Sequence, residues 1–426
     1  MPPDVTFRRA SSADAEAVAS LYLRARHAAV PAIPPPAHAD DDVRAFVRNR
    51  MIPEREAWVA VDGGAVVGLL VLDGDDIDQL YLEPSRVGEG IGSRMIDLAK
   101  SERPAGLELW AFQSNVRALA FYERHGFVAE GWSDGDNEER EPDVRLRWRP
   151  AYTHGHHESV LRSHRWRTAE NSAAYLLRKL SPGLRVLDVG CGPGTITLDL
   201  ARRVAPGTVV GVDASAEVIA EAEAACGAQE GVRFAVGDVY ALDFEEGSFD
   251  VVHAHQLLQH LGDPVAALRE MRRVLRPGGT LAVRDSDYGA FTWAPASVPM
   301  SRWLELYHEV TLRNGAEADA GRHLLRWVRA AGFTGIEAGS STWTFADAES
   351  RAWWCGLWAD RVRQSSFATQ AVTYGLADAE ELEELAEGFL AWSLEEDGWF
   401  VVLHGEVLAE APRRSGTVRF TDPSRN

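Results

Sequence analysis

Leu-Arg-Val-Leu-Asp-Val-Gly-Cys-Gly-Pro-Gly-Thr, residues 184–195, is the stretch that decides the fold of the C-terminal half of this chain. Its apolar residues before position 190 are typical of a short strand buried in a parallel sheet. The glycines of 190–194 predict a tight turn where backbone can approach a ligand closely. A helical segment follows, and 209–212 predict a second strand that ends in Asp213. In a βαβ unit this position holds a carboxylate against ribose hydroxyls, so the stretch predicts a nucleotide site.

The spacing of the glycines separates two classes of nucleotide cofactor. Dinucleotide sites follow Gly-x-Gly-x-x-Gly/Ala, whereas the third position here is Thr195. The order Val-Leu-Asp-Val-Gly-Cys-Gly-Pro-Gly instead closely resembles the first motif of class I S-adenosylmethionine-dependent methyltransferases, and among them the quinone-biosynthesis (UbiE-like) small-molecule branch. The resemblance continues through Gly237-Asp238, residues 249–255 and Leu275-Arg-Pro-Gly-Gly279, a predicted turn before a further strand.

This resemblance implies S-adenosylmethionine as cofactor and a doubly wound, Rossmann-like domain. It also implies that Asp238 lies near the adenine amine. His255 and Gln256 fall at the carboxyl end of a predicted strand, where open α/β sheets bind ligands, and are expected to reach the methionine part or the substrate. His255 and His260 are the candidate catalytic bases, and packing at a helix start is the alternative role for His260. The candidate cofactor-binding residues of this half are Asp188, Gly190, Gly192, Asp213, Asp238, Val239, His255 and Gln256.

The bulk composition favours two packed domains and small-molecule substrates. The chain has 426 residues, 46% of them hydrophobic, and a formal net charge of −20 at pH 7. Nucleic-acid affinity rests largely on Lys and Arg that neutralise phosphates, so this charge argues against a nucleic-acid partner. No apolar run reaches the length of a membrane span, the N-terminus lacks the core of a signal peptide, and the three cysteines show no CxxC spacing. We therefore expect a cytoplasmic protein with no membrane partner, disulfide framework or metal site.

The N-terminal half shows alternating strand and helix patterns. Its predicted elements are a strand at 5–7, a helix capped by Ser11 or Ser12 and broken by the prolines of 31–36, a hairpin of 57–61 and 65–72, and a strand at 77–82. A glycine loop, residues 84–92, then opens directly into an amphipathic helix. Backbone N–H groups and the helix dipole favour an anion at such a helix start, so the loop can hold a phosphate.

With a strand at 107–110 and the run Asn115-Val-Arg-Ala-Leu-Ala-Phe-Tyr-Glu-Arg-His-Gly-Phe127, this half resembles the GNAT acetyltransferases over residues 5–149. The resemblance implies acetyl-CoA as cofactor and Tyr122 as the general acid that protonates the leaving thiolate, with packing on a helix face as the alternative for Tyr122. One departure is Val87, which stands where the family usually has Gln or Arg, while Arg86 lies one residue earlier. The candidate acetyl-CoA-binding residues are Leu82, Gly88, Gly90, Gly92 and Asn115.

The acceptor side of this half is acidic. Asp76 and Asp78 share one face of the predicted strand and are candidates for the route by which the amine loses its proton. The run 134–141 either attracts a cationic amine or is a solvated loop.

Histidines concentrate at the start of the C-terminal half, at positions 154, 156, 157 and 164. Imidazoles bind transition metals, but no carboxylate or second ligand pair follows at a fixed offset. The favoured interpretation is a segment that folds over the cofactor, as the methyltransferase resemblance implies. Tyr152, Trp166, Arg167 and Thr168 fit that cap.

The methyltransferase sheet is predicted to continue through strands at 233–236, 249–253 and 280–284, with helices between them, which makes it largely parallel. After Asp285 the sequence is rich in tryptophan and predicts a helical region that shapes the acceptor pocket. That region's predicted features are a helix core of Trp303, Leu306 and Val310, an aromatic patch of Trp353, Trp354 and Trp358, and a closing strand at 401–407.

The sequence therefore predicts an α/β chain of two domains, a mixed-sheet GNAT domain at 1–150 and a methyltransferase domain at 151–426. The second divides into a cap (151–180), a cofactor core (181–290) and a substrate-shaping region with closing strands (291–426). The favoured function is a bifunctional small-molecule transferase that moves a methyl group from S-adenosylmethionine and an acetyl group from acetyl-CoA to an amine. The alternative is a methyltransferase with a regulatory GNAT domain that binds acyl-CoA without catalysis.

Overall fold

The structure, a computed structural model, describes residues 5–155, 157–227 and 229–413. It divides into two compact units, of which the first holds the chain up to Thr153 together with 308–316 and 369–378. The second unit holds the remainder. The domain boundary at residue 150 stays a prediction, and the units differ from it because two later segments belong to the first.

Among the described residues, the first unit is a seven-stranded mixed sheet in the order β1-β2-β3-β4-β5-β7-β6. Its strands are β1 (Thr6–Arg9), β2 (Glu56–Asp62), β3 (Ala65–Asp73), β4 (Asp76–Leu82), β5 (Leu107–Phe112), β6 (Val128–Ser133) and β7 (Asp143–Trp148). Its helices are α1 (Ala15–Ala29), α2 (Asp40–Phe46), α3 (Ile52–Glu54), α4 (Ile91–Glu102) and α5 (Val116–Arg124).

The parallel neighbours β4 and β5 set the shape of this sheet. Over their described residues a single register pair, Asp76 with Glu108, joins them. The other neighbours are antiparallel. β4 and β5 therefore separate toward their carboxyl ends, next to the start of α4.

Apolar side chains cover both faces of the sheet. Val18 and Leu21 of α1 pack with β2 and β3 on one face, and Met95 of α4 packs on the other. The predicted hairpin is confirmed as β2 and β3. Ser11, one of the two predicted caps of the first helix, is the N-cap of a 3₁₀ turn that runs directly into α1. This short turn, Ser12–Asp14, precedes α1 because the Asp14 carboxylate accepts from the Ser11 backbone N–H and draws the chain into that turn.

The strands of the C-terminal half are β8 (Arg185–Val189), β9 (Thr208–Asp213), β10 (Val232–Val236), β11 (Phe249–His255), β12 (Leu275–Ser286), β13 (Thr292–Ala294), β14 (Thr334–Phe345) and β15 (Trp399–Glu410). The helices before β12 are α6 (Glu158–Arg165), α7 (Ala169–Ser172), α8 (Ala174–Leu177), α9 (Thr195–Val204), α10 (Ala216–Cys226) and α11 (Pro264–Val274). Those after it are α12 (Val298–Arg313), α13 (Ala320–Ala330), α14 (Ala348–Gln364), α15 (Ser366–Thr373) and α16 (Ala379–Trp392).

The second sheet runs β10-β9-β8-β11-β12-β15-β13, with β14 also paired to β15. The first five strands are parallel and are crossed by helices, which confirms the doubly wound fold class. The predicted turn at 275–279 was wrong, because Leu275 already pairs with Phe249 and the register then shifts, so the turn residues form a bulge inside β12. Strand β14 was not predicted.

The predicted core of the tryptophan-rich region is confirmed, since Trp303, Leu306 and Val310 are fully buried. The predicted closing strand is confirmed as β15, which is longer than expected and antiparallel to β12. Of the helices that the structure describes, none combines the length and the apolar character that crossing a bilayer requires.

Candidate active sites

The glycine turn after β8 forms at the carboxyl end of the sheet. Gly190, Gly192 and Gly194 have φ of +70°, +55° and +81°, the left-handed region that side chains rarely adopt. A Cβ on Gly190 would also lie 3.0 Å from Leu257 Cδ1. The turn ends where α9 begins, so backbone N–H groups at a helix start face this edge of the sheet.

Asp213 connects this turn to the next helix. One carboxylate oxygen accepts from the Gly192 backbone N–H at 3.1 Å, and the other accepts from the Ser215 N–H at 3.1 Å. The side chain stays partly exposed. A carboxylate has about four lone-pair sites, so Asp213 can accept two more hydrogen bonds.

Asp188 has different surroundings. It is 2% exposed, accepts from the Thr197 hydroxyl at 2.6 Å, and pairs with His253 Nδ1 at 2.7 Å. Both of its oxygens therefore bind side chains of the chain itself, and its role in cofactor binding stays a prediction.

Asp238 and Val239 follow β10 at the same edge of the sheet. Asp238 is exposed, and one oxygen accepts from the Tyr240 backbone N–H at 2.8 Å. Val239 is buried in the core. Their predicted places beside the cofactor also stay predictions.

His255 lies in a buried polar layer on one face of the sheet. It pairs in register with Arg284, and its ring lies 5.8 Å from Trp343 and 6.1 Å from His404, measured between ring centroids. Neither ring nitrogen has a hydrogen-bond partner among the described residues. Burial, together with the Arg167 and Arg284 charges, holds the pKa of His255 well below its usual value, so the imidazole is neutral.

Gln256 adopts an unusual backbone conformation directly after β11. Its φ is +51°, which is uncommon for a residue other than glycine and recurs at functional sites. Its side-chain Nε2 donates to Ser286 Oγ at 2.6 Å, and its Oε1 accepts from the Arg167 guanidinium.

His260 is the last residue of a short 3₁₀ turn, Leu258–His260, which precedes α11. Its Nε2 lies 3.0 Å from Gln259 Nε2, and an amide nitrogen can only donate, so this imidazole nitrogen accepts. Burial, followed by the Arg167 charge, lowers the pKa of His260 to about 3. A nitrogen that already accepts a hydrogen bond and has so low a pKa is a weak base at neutral pH.

A small cavity of ≈ 20 Å³ lies beside these residues, with room for about one water molecule. Its polar wall includes His164, Arg167, Gln256, Ser286 and Arg361, and its aromatic wall includes Trp166, Phe291, Trp343, Trp353 and Trp354. Carboxyl ends of parallel strands are where open α/β sheets bind ligands, so the cavity and the glycine turn mark one site.

The glycine loop of the first unit has the geometry of an anion site. Gly88 and Gly90 have φ of +97° and +78°, and Gly90 is the residue before the first turn of α4. A Cβ on Gly92 would lie 3.3 Å from Leu82 Cδ1, at the end of β4. The loop thus begins where β4 and β5 separate, and it leads into a helix start, which favours a phosphate.

Neither Val87, which replaces the usual Gln or Arg of the family, nor the neighbouring Arg86 has a side chain free to bind a phosphate. Val87 is half exposed. The Arg86 guanidinium pairs with Asp62 and with Glu89, each at 2.7 Å. Arg86 is the cationic side chain nearest in sequence to position 87, where the family usually has Gln or Arg. Its guanidinium is already paired with two carboxylates.

Tyr122 and Asn115 lie at the two ends of α5. The Asn115 Oδ1 accepts from the Ala118 backbone N–H at 3.2 Å and caps the helix. Tyr122 is 9% exposed and belongs to the core that includes Phe127. Burial raises the pKa of Tyr122, so the hydroxyl keeps its proton at neutral pH.

Several of the acidic residues that were candidates for the amine acceptor site form ion pairs with arginines. Asp78 forms an ion pair with Arg55, and Glu139 of the acidic run pairs with the buried Arg26 at 2.6 Å. Asp76 is exposed as a whole, but partial desolvation of its carboxyl, followed by the nearby Glu108 charge, raises its pKa. These contacts favour a structural role for Asp78 and for part of the run.

Comparison with known proteins identifies both halves. Residues 180–332 match the family model described as a methyltransferase domain, and residues 53–129 match that of an acetyltransferase (GNAT) domain. An uncharacterized methyltransferase of Schizosaccharomyces pombe is 33% identical over 267 residues, which are 60% of this chain and 95% of the relative. The chain belongs to the methyltransferase family.

Two other relatives are also named as methyltransferases. A probable methyltransferase of Aspergillus luteorubrus is 29% identical over 276 residues, 61% of this chain and 96% of the relative. A demethylmenaquinone methyltransferase of Lactococcus lactis is 39% identical over 109 residues, 25% of this chain and 43% of that protein. Both resemblances drawn from the sequence are confirmed, and the two domains imply S-adenosylmethionine and acetyl-CoA as cofactors.

The segment predicted to cap the methyltransferase site lies against its aromatic wall. The Trp166 ring is 5.1 Å from Trp343 and 5.1 Å from Trp353, between centroids. His157 caps α6 by accepting from the Ser159 N–H, and His154 Nε2 lies 3.0 Å from the Tyr307 hydroxyl. His156 lies outside the described residues. No group of three or more potential metal ligands occurs in the described part of the chain.

Sequence reasoning missed three buried or partly buried polar residues that lie next to Gln256 and His255 or pair with one another. His404 and Glu406 lie on β15, and Arg284 lies opposite Glu406 on β12, with their side chains 3.1 Å apart. A polar residue inside an otherwise apolar strand was the available signal, in Val-Arg-Asp at 283–285 and in Leu-His-Gly-Glu at 403–406.

Proposed function

We propose that the chain is a bifunctional small-molecule transferase. Its methyltransferase half moves a methyl group from S-adenosylmethionine to a small acceptor, and its GNAT half moves an acetyl group from acetyl-CoA to an amine. The observation that carries the proposal is the pair of glycine loops, each at positive φ and each leading into a helix at the carboxyl end of a strand. The net charge of −20 argues against nucleic-acid acceptors, and three free cysteines fit the cytoplasm, a reducing compartment.

The residues around the second loop fit S-adenosylmethionine. Asp213 has lone pairs left for the ribose hydroxyls. Arg167 lies at the cavity wall beside Gln256, and the His164 Nδ1 is 3.6 Å from where a Cβ on Gly192 would stand, so this wall and the glycine turn adjoin. Guanidinium groups bind carboxylates in charge-assisted pairs, and we assign Arg167 to the carboxylate of the cofactor.

When bound, S-adenosylmethionine supplies a methyl group on a sulfonium centre. The chain's part is to align an acceptor and to exclude water, since methyl transfer needs no protein nucleophile. The aromatic wall suits an apolar or planar acceptor. Burial holds the pKa of both His255 and His260 well below normal, so each imidazole is a weak base at neutral pH. His255 is the better candidate of the two because neither of its ring nitrogens has a hydrogen-bond partner among the described residues.

Acetyl transfer rests on the first loop and on Tyr122. Backbone N–H groups of Gly88 and Gly90 would hold the pyrophosphate of acetyl-CoA. A buried tyrosine whose pKa is raised keeps its proton, which is the form that a general acid requires. Tyr122 would donate that proton to the leaving thiolate.

Two observations favour the regulatory alternative. Arg86 is held by Asp62 and Glu89, and Tyr122 packs in an aromatic cluster with Phe121 and Phe127. A loop that binds acyl-CoA through its backbone alone, beside a tyrosine that only packs, would report acyl-CoA levels without turnover.

Mass spectrometry separates these functions. The full chain is incubated with both cofactors and a metabolite extract, and products are searched for gains of a methyl or an acetyl group. We expect both gains from the parent and a smaller methyl gain in Asp213→Ala when S-adenosylmethionine is limiting. The acetyl gain should fall in Gly90→Val, because valine cannot adopt φ of +78° without strain. A methyl gain without an acetyl gain in the parent would favour the regulatory alternative, and neither gain would contradict both.

A further inference from the structure

Four side chains from separate segments form one hydrogen-bonded network at the end of β11. The Arg167 Nη2 donates to Gln256 Oε1. At the other end of the same amide, Nε2 lies 2.6 Å from Ser286 Oγ and 2.8 Å from His404 Nε2. The amide therefore bridges the cap segment and the closing strand.

The chemistry of the two ends fixes the direction of every hydrogen bond. A guanidinium only donates, so the amide oxygen must face Arg167. The amide NH₂ group then faces His404, and because that group only donates, the His404 Nε2 must accept. His404 is therefore a neutral imidazole whose proton is on Nδ1. If the imidazole proton were on Nε2, it would face the amide NH₂ group, and two donors would meet. If the amide were flipped to avoid this, its NH₂ group would face the Arg167 guanidinium, and again two donors would meet.

The fold holds His404 in this position. β15 pairs with β12 and β14 so that His404 lies opposite both Ser286 and Ser341, and the side chain is fully buried. Burial and the charges of Arg284 and Arg167 keep the pKa of His404 well below its usual value, in agreement with a neutral acceptor. Gln256 cannot relax easily either, since its backbone N–H donates to the Arg284 carbonyl at 2.7 Å.

We propose that His404 is a positioning residue of the methyltransferase site. It accepts from the Gln256 amide and so keeps the amide oxygen on Arg167, which sets the guanidinium at the cavity wall. The inference rests on the proposed function, in which Arg167 holds the carboxylate of the cofactor. His404 acts through Gln256 and does not touch the cofactor.

The first test is the tautomer of His404 in the full chain. Nitrogen-15 NMR of histidine-labelled protein, assigned by comparison with His404→Gln, should show a protonated Nδ1 and an unprotonated Nε2 at pH 7. A protonated Nε2 would overturn the proposal, and the tautomer itself is read from the parent protein.

The second test is binding of S-adenosylhomocysteine, the reaction product, by calorimetry. His404→Phe keeps a ring but removes the acceptor, and we expect about 2- to 10-fold weaker binding, the range for one hydrogen bond. His404→Gln supplies an oxygen that accepts, and it should bind nearly as the parent does. Equal weakening by both variants would overturn the proposal.

A double-mutant cycle separates positioning from packing. In a Gln256→Leu background there is no amide to orient, so His404→Phe should add no further loss of affinity. The same loss in both backgrounds would show that His404 only packs, and would overturn the inference. A parent chain that binds no S-adenosylhomocysteine would instead refute the proposed function, so the two failures are distinguishable.

Discussion

Removal of the Asp213 carboxylate tests the cofactor site most directly. In the structure its two oxygens accept from the Gly192 and Ser215 backbone N–H groups, each at 3.1 Å. These bonds use about two of the four lone-pair sites of a carboxylate, and the other two are left for the hydroxyls of a ribose. Asp213→Ala therefore removes the ribose contacts and also loosens the glycine turn.

The magnitude follows from the number and kind of bonds lost. Hydrogen bonds to a charged group contribute about 1.5–3 kcal/mol. Asp213 is partly exposed, so the two ribose contacts together should fall within that range rather than at twice its value. Since 1.4 kcal/mol is a factor of ten in affinity, Asp213→Ala should weaken binding of the cofactor about 10- to 100-fold.

Calorimetric titration of S-adenosylhomocysteine into the full chain measures this loss. Glu217→Ala is the matched control, because it removes the same charge from an exposed position in the first turn of α10. We expect the control to bind within about twofold of the parent, since exposed charge pairs contribute little. Unchanged affinity in Asp213→Ala, or an equal loss in Glu217→Ala, would refute the assignment of Asp213 to the ribose.

Three further outcomes are expected. Tyr122→Phe should leave acetyl-CoA binding unchanged and slow acetyl transfer about 10²- to 10⁴-fold, the usual contribution of a general acid. A fully active variant would show that Tyr122 only packs in the core. His255→Gln should slow methyl transfer and leave affinity for S-adenosylhomocysteine within about twofold, whereas an unchanged rate would remove His255 as a base. Acidification should destabilise the second unit, because buried His164, His255 and His404 have pKa values well below normal in the folded chain. The unfolded chain binds their protons near pH 6.5, so stability is present above that pH and falls by up to about 1.4 kcal/mol per histidine per unit below it. Urea midpoints that are equal at pH 7.5 and 5.5 would contradict this.

The local patterns of the sequence were enough for the two loops and the strands that lead to them. Val186, Leu187 and Val189 are buried as a parallel strand because apolar side chains cover both of its faces, and the glycines that follow it adopt the positive φ that only glycine readily adopts. The position of Asp213 was equally predictable, since it ends the second strand of a βαβ unit.

Pairings between distant segments were not predictable. His404 reaches Gln256 because β15 runs antiparallel to β12 in one particular register, and a slip of one residue would turn its side chain to the other face. Strand β14 carries little alternation of apolar and polar residues and is mostly exposed, so its sequence lacks the period-two pattern from which strands are recognised.

Asp188 and Asp213 show why a motif predicts a site better than it predicts the role of each residue. Both are acidic residues at the ends of neighbouring parallel strands, and both were expected to bind the cofactor. Asp188 is buried, and its two oxygens bind the side chains of Thr197 and His253, so both oxygens are occupied by residues of the chain itself. Asp213 is partly exposed, and only backbone donors of the loops occupy it, which leaves it able to accept from a ligand.

The difference between the two carboxylates arises from the partner strand. β11 places His253 opposite Asp188, whereas the residue opposite Asp213 on β10 is Val236, which offers no side-chain donor. The role of each carboxylate is therefore set by the side chain that the neighbouring strand brings to it.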